Sequence, residues 1–242
     1  MKGVILAGGR GTRLSPLTKI TNKHLLPVGK EPMVFNPVKQ LISAGITDII
    51  VVTAKEYAGE FRRLLGSGKE LGCDFTFRVQ DEPRGIAHAL LLCEDFTKGE
   101  NITVILGDNI AANSIKPYVR VFERQGGGAK VLLKKVADPS RYGIASIDEQ
   151  SIISIEEKPL NSLNQFAVIG MYFYDSQVYD IIRSIGLSSR GELEITPVNN
   201  EYIARGKLTY DVLEGEWIDA GTYEAYREAN DILFSINNEI RR

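Results

Sequence analysis

Three short runs constrain this chain more than any other feature. VILA at residues 4–7, IIVVT at 49–53 and ITVIL at 102–106 show no apolar-polar alternation. A strand that is apolar on both faces must be covered on both faces, which is the condition of a parallel sheet flanked by helices. Between the first two runs, Val34, Val38, Leu41 and Ile42 recur at helical spacing, and Gly45 stands where such a helix would be capped before the next strand. The pattern predicts a βαβ unit and an α/β fold. With 242 residues and 43% hydrophobic side chains, the chain is long enough to bury roughly 70–75% of its unfolded surface.

After Gly126, Gly127 and Gly128 the texture shifts to strand candidates at 129–136, 142–147, 151–157 and 166–174, and helix returns at about 178–185. No Pro- or Ser-rich linker divides the two textures. One domain over 1–242 is therefore expected, with halves 1–125 and 126–242.

Composition removes several classes of function. Lys and Arg number 29 against 31 Asp and Glu, a formal charge of −2, so no chain-wide basic field exists and no nucleic-acid partner is expected. Cys73 and Cys93 form neither a metal-type pair nor a disulfide framework, which points to a reducing, cytoplasmic setting. No apolar stretch approaches the ~20 residues of a membrane span, and the N-terminal run is too short for a signal sequence. A soluble, unprocessed protein without a membrane partner is expected.

The first apolar run breaks into GGRGTR, where Gly8, Gly9 and Gly11 leave backbone N–H groups bare at the end of a strand. Ligands of open parallel sheets bind at such ends, and a backbone without Cβ atoms can surround a phosphate closely. Two familiar phosphate loops fail. A dinucleotide fingerprint begun at Gly9 meets Leu14 instead of a third glycine, and no GKS or GKT follows for a P-loop. Arg13 and, in NKHLLPVG, Lys23 supply the positive charge that a glycine cradle lacks. Asp108 of LGDNI closes the third run, and Asp219 of WIDAGT repeats the pattern of a carboxylate between apolar residues and glycine. Carboxylates beside a phosphate site need a cation between them, and magnesium, a hard ion shared by one or two carboxylates and substrate phosphates, is the natural one.

LAGGRGTRLSPLT, NKHLLPVG, VQDEPRGIAHAL, LGDNI, RYGIA, IEEKP, RGELEIT and WIDAGT, in this order through nearly the whole chain, together resemble the sugar-1-phosphate nucleotidyltransferases. The resemblance implies a nucleotide-diphospho-sugar transferase-like three-layer α/β fold with a mixed, mainly parallel central sheet. It implies a reaction in which a sugar 1-phosphate attacks the α-phosphorus of a nucleoside triphosphate and expels pyrophosphate. The implied substrates are dTTP and glucose 1-phosphate, with UTP or another hexose 1-phosphate as alternatives; a silent nucleotide-sugar sensor is the alternative from another class.

By the same resemblance, Gly8, Gly9, Gly11, Gln80 and Gly85 serve the nucleotide, Gln80 and the Gly85 segment facing the base. Arg13 and Lys23 carry the catalysis, and Asp108 and Asp219 hold Mg2+. Asn109, Tyr142, Gly143, Glu157, Lys158, Gly170 and Arg190 take the sugar phosphate. Homo-oligomer formation is a family expectation. Longer members continue with further C-terminal helices linked to assembly and an allosteric nucleotide site, so feedback through that site is not expected of this chain. Ile169 and Pro197 stand where the family leads one to expect threonine and aspartate. His24, where the family often has glutamine, and His88 are read as packing or hydrogen-bonding residues, because two isolated histidines make a poor metal set. Tyr226, Ala229, Leu233, Ile236 and Ile240 share one helical stripe, expected to face the core.

Overall fold

The computed structural model describes residues 1–239. Along the chain the strands of the N-terminal region are β1 (Lys2–Ala7), β2 (Pro27–Val28), β3 (Glu31–Pro32), β4 (Asp48–Ala54) and β5 (Asp74–Gln80), with helices α1 (Phe35–Ser43) and α2 (Ala58–Leu65). Helices α3 (Ile86–Leu91) and α4 (Glu94–Thr97) precede β6 (Ile102–Leu106), β7 (Asn109–Ala111) and α5 (Lys116–Gln125). Strands β8 (Ala129–Lys135), β9 (Gly143–Asp148), β10 (Ser151–Glu157) and β11 (Phe166–Tyr174) follow. The chain then runs through α6 (Val178–Ser184), α7 (Ile195–Ala204), β12 (Leu208–Val212), β13 (Trp217–Asp219) and α8 (Tyr223–Glu239).

Compactness divides the chain otherwise than at residue 125. The first unit comprises Gly3–Pro83, Ile105–Lys116 and the chain from Glu214, and the second comprises Met1–Lys2, Arg84–Val104 and Pro117–Leu213.

In the first unit β1 pairs parallel with β4, Gly3 opposite Ile49 through Ala7 opposite Thr53, and β4 pairs parallel with β5. The two apolar runs behave as their lack of alternation predicts, since Val4 to Ala7 and Ile49 to Ala54 are buried. Helix α1 turns Pro37, Val38, Gln40 and Leu41 inward. Gln40 is the exception to its apolar stripe and has a function there. Its Nε2 donates to the carbonyls of Ala111 and Asn113 at 3.0 and 3.1 Å, and its Oε1 accepts from the Ile115 N–H at 3.1 Å. Asn36 both donates to and accepts from the Ala111 backbone. One buried polar row therefore fixes β7, the short strand that follows Asp108.

Strand β13 pairs antiparallel with β7, setting Asp219 opposite Asn109, and the Ala220 N–H donates to the Asp108 carbonyl at 2.9 Å. Helix α8 packs on this ribbon through Ala225, Ala229, Tyr226 and Leu233, in a cluster with Val28, Met33, Ile110 and Ile218. Tyr226 Oη donates to the Pro27 carbonyl, and Asn230 Oδ1 accepts from the Gly29 N–H. The stripe expected to face the core does so at residues 226, 229 and 233; the Ile236 side chain and Ile240 lie outside what the structure describes.

The second unit holds the mixed part of the α/β architecture. Strand β10 folds back on β9 with Glu157 opposite Gly143, β11 pairs antiparallel with β8 and β9, and β12 adds parallel to β8. Asn200 of α7 takes both backbone groups of Ile155 at 2.9 Å, which docks the helix on β10. Pro197 lies in the first turn of α7, where a missing N–H costs nothing. Ile169 is buried within β11. Lys130 is buried and ion-paired to Asp211 at 2.7 Å between β8 and β12.

Candidate active site

The first unit gathers Gly8, Gly9, Gly11, Arg13, Lys23, Gln80, Asp108, Asn109 and Asp219; the second holds Gly85, Tyr142, Gly143, Glu157, Lys158, Gly170 and Arg190.

After β1 the chain cannot continue as sheet, because the glycine loop must bend around Lys23. A Cβ on Gly9 would stand 3.2 Å from Lys23 Cε and 3.4 Å from its Nζ, and one on Gly11, whose φ is +65°, would stand 2.8 Å from Lys23 Cβ. The glycines are thus the bed of the lysine as well as bare backbone. Lys23 itself leaves a single 3₁₀ turn, Lys23–Leu25, capped by Asn22. Its ammonium donates to the Asp108 carboxylate, and both side chains are largely buried, 12% and 10% exposed. Gln80, at the end of β5, is buried, and its Oε1 would lie 2.7 Å from a Cβ on Gly8.

Asp108 is a carboxylate in a place that should repel its charge. Burial pushes its pKa up, yet the Lys23 ammonium and hydrogen bonds from Lys23 and Asn109 hold it well below the usual carboxylate range. Asn109 in turn donates to Asp108 Oδ1 at 3.2 Å and accepts from the Trp217 indole N–H at 2.8 Å. On the facing strand Asp219 Oδ1 accepts from the Gly221 N–H at 3.1 Å. The exposed Arg13 guanidinium flanks the same glycine, its Nη2 2.8 Å from where a Cβ would be.

Asp108, just before β7, and Asp219, in β13, carry hard carboxylate oxygens, and a hydrogen bond from the Ala220 N–H to the Asp108 backbone carbonyl joins the two segments. Among the described residues no group of three or more His, Cys, Asp and Glu is placed to hold a metal ion by itself. Such a donor pair fits a hard divalent ion that draws its remaining ligands from phosphate and water.

In the second unit Glu157, at the end of β10, anchors a charged row. Its Oε2 accepts from Thr196 Oγ1 at 2.6 Å, and its Oε1 lies 3.2 Å from Lys158 Nζ and 3.6 Å from Arg190 Nη2. Arg190 is bound more tightly by Glu194 Oε1, at 2.6 and 3.1 Å, and that carboxylate raises its pKa. Lys158 adopts φ +47°, a sparsely populated region for a residue with a Cβ, and its N–H donates to the Tyr142 carbonyl at 2.9 Å. Gly143 faces Thr196 Oγ1 and Glu157 Oε2 at 3.2 and 3.5 Å from its Cβ position. Gly85 caps α3 with φ +99°, and a Cβ there would stand 2.3 Å from the Leu193 carbonyl oxygen. Packing inside the unit alone demands glycine at that position. Gly170 lies buried in β11.

Asn22, Thr196 and Glu194 escaped the sequence reading. Single polar residues carry no periodic signal, and only their neighbours in space reveal them. His24 is buried as expected, in the first unit, while His88 lies on α3 in the second.

Burial, and next the Lys23 charge, push the His24 imidazole down to about 3, against weaker opposing effects of Asp108 and the Ala7 backbone. At neutral pH the ring therefore carries no charge. The unfolded chain takes up a proton on this histidine as pH falls below 6.5, which the native state refuses until about 3. Over that window folding stability should fall by roughly 1.4 kcal/mol per pH unit, with no further loss from this group below it. Urea midpoints of His24→Gln should lack this slope between pH 6.5 and 4; equal slopes in both proteins would show that the native imidazole is protonated.

The chain is a member of the nucleotidyl transferase family, whose sequence model matches residues 2–235. Among its relatives, the glucose-1-phosphate thymidylyltransferase of Mycolicibacterium smegmatis is 44% identical over 240 residues, 98% of this chain and 83% of the relative. The protein of that name from Neisseria meningitidis is 40% identical over 98% of this chain and 84% of the relative. A Bacillus anthracis structure with a sucrose bound, provisionally assigned as a glucose-1-phosphate thymidylyltransferase, superposes with a TM-score of 0.93 at 53% identity, over 96% of this chain and 95% of that one. A UDP-glucose pyrophosphorylase bound to UDP-glucose shares the fold, with a TM-score of 0.85 at 24% identity over 97% and 98% of the two chains.

Proposed function

We propose that this chain transfers a thymidylyl group from dTTP to glucose 1-phosphate, giving dTDP-glucose and pyrophosphate. The observation that carries the reading is the buried Lys23 ammonium, laid along the glycine loop with its charge on Asp108. The identity with thymidylyltransferases over nearly the whole chain supports it.

Displacement at phosphorus requires alignment and charge neutralisation more than covalent help from the protein. A phosphate oxygen of glucose 1-phosphate attacks the α-phosphorus as the bond to the pyrophosphate oxygen breaks, and negative charge grows on the leaving group. In this reading Gly8, Gly9 and Gly11 present backbone to the triphosphate, while Arg13 and Lys23 meet the growing charge. Gln80 and the Gly85 segment read the pyrimidine edge, the amide offering both a donor and an acceptor. Glu157 accepts from sugar hydroxyls, Lys158 and Arg190 meet the sugar phosphate, and Asn109, Tyr142, Gly143 and Gly170 complete that side. Asp108 and Asp219 hold magnesium, which when bound neutralises phosphate charge and polarises the phosphoryl oxygens.

A glutamine amide suits thymine and uracil alike, so only the space beside the thymine methyl separates dTTP from UTP. One methyl is worth about 1–3 kcal/mol, a preference of roughly 10- to 200-fold. Pyrophosphate release from the full chain with magnesium and glucose 1-phosphate, run in parallel with dTTP, UTP, CTP, ATP and GTP, should rank dTTP first within that range. A kcat/KM for UTP above that for dTTP would overturn the thymidylyl assignment. Binding of dTTP without turnover would replace the enzyme by a nucleotide sensor. Among the described residues no helix is long and apolar enough to cross a membrane.

A further inference from the structure

We propose that Asn22 and His24 are positioning residues that hold the glycine loop, Lys23 and the turn bearing Asp108 in one arrangement. The rate consequence rests on the function proposed above; the geometry does not.

The Asn22 side chain is fully buried and joins three partners. Its Nδ2 donates to the Gly9 carbonyl at 3.2 Å, its Oδ1 accepts from the His24 backbone N–H at 3.0 Å, and the same oxygen lies 2.6 Å from His24 Nδ1. A backbone N–H can only donate, so the amide oxygen must face it, which turns the NH2 end toward Gly9. With the oxygen so placed, an Nδ1–H of His24 donates to it. Asn22 thereby caps the turn that launches Lys23 and ties that turn to the glycine loop.

His24 completes the clamp. Its Cδ2 lies 2.7 Å from where a Cβ on Gly107 would be, just before Asp108, and its Cε1 lies 3.9 Å from the Cβ position of Gly9. The Phe61 ring backs it at 6.5 Å. Between them the two residues touch all three segments that determine where the Lys23 ammonium sits, although 85 residues separate Lys23 from Asp108. At 0% and 2% exposure neither presents a polar atom to a substrate, so any effect on rate must pass through the segments they hold, Lys23 among them. Two leucines would fill a similar volume without the cost of desolvating an amide and an imidazole; what the polar pair adds is direction.

The test is acetylation of the full-length protein by N-acetoxysuccinimide, with Lys23 and Lys130 followed by mass spectrometry. Lys130, buried against Asp211 in the second unit, is the internal control for general loosening. In Asn22→Leu and His24→Leu we expect Lys23 to be modified about tenfold faster and kcat to fall about tenfold or more, since a displacement of about 1 Å can cost 10²-fold in rate. Lys130 modification and the KM for glucose 1-phosphate should not change. His24→Gln, whose amide N–H can still donate to Asn22 Oδ1, should restore both the rate and the protection of Lys23. If Asn22→Leu does not fold, Asn22→Ser retains a capping oxygen and is too short to reach Gly9, so it should raise Lys23 modification in the same way. Unchanged Lys23 modification in the folded variants, or Lys130 rising in step with it, would overturn the proposal. A native protein that releases no pyrophosphate would sink the functional reading alone, and the ratio of Lys23 to Lys130 modification would still decide this one.

Discussion

Lys23→Ala should lower kcat by about 10²–10³ with dTTP and glucose 1-phosphate, the usual loss when one preorganised charge partner of a developing anion is removed. The lysine is suited to that effect because its ammonium is already largely dry and its stem is laid along Gly9 and Gly11. Little reorganisation is then needed as charge builds on the leaving pyrophosphate. The same substitution leaves the Asp108 carboxylate buried without its cation. Breaking a buried pair in this way typically costs about 3–5 kcal/mol. A urea melt should therefore accompany the kinetics, and saturating magnesium should return part of the lost stability by supplying Asp108 with another cation. A kcat within threefold of the native value in folded Lys23→Ala would remove the lysine from the mechanism.

Asp108→Asn should be more damaging, with kcat lower by about 10³ or more, because the contribution of a metal ion to phosphoryl transfer amounts to several kcal/mol. The amide keeps the size of the carboxylate and its oxygen can still accept from Lys23, but its NH2 faces the Asn109 donor and the buried ammonium loses its counter-charge, so a urea melt should accompany these kinetics too. What disappears is the charge that would draw a divalent ion to the ribbon. Mn2+ binding followed by electron paramagnetic resonance gives a readout independent of turnover, and affinity should fall together with rate. If Mn2+ binds Asp108→Asn as tightly as the native protein, the ion lies elsewhere and Asp108 serves Lys23 alone.

The pairing of Lys23 with Asp108 also shows what a linear reading reaches and where it stops. Both residues are visible in the sequence, one in NKHLLPVG and the other in LGDNI, because each stands at a break in an apolar run. That they form a buried ion pair follows from no pattern, since the side chains meet only after β1, α1 and the β7–β13 ribbon have packed. Gly85 teaches the converse. Its glycine suggests backbone approaching a ligand, whereas within its own unit the Leu193 carbonyl already occupies the space a Cβ would need. Arg190 likewise reads as a phosphate contact, and the fold adds that Glu194 grips its guanidinium.

Sequence by itself determined the class of sheet and the kinds of chemistry on offer. Strands apolar on both faces must be buried on both, and glycine, arginine, lysine and aspartate at strand ends bring their properties wherever the chain goes. It also determined β6, β10 and β11 to the residue, because each is a local run whose residue types read as strand without reference to distant segments. Only the tertiary structure decided that the compact units interleave segments far apart in the chain. It alone placed Asn22 and His24 between the glycine loop and Gly107, and set Thr196 on Glu157. Such contacts arise from packing between distant segments, and the few single polar residues that make them have no period along the chain by which they could be read.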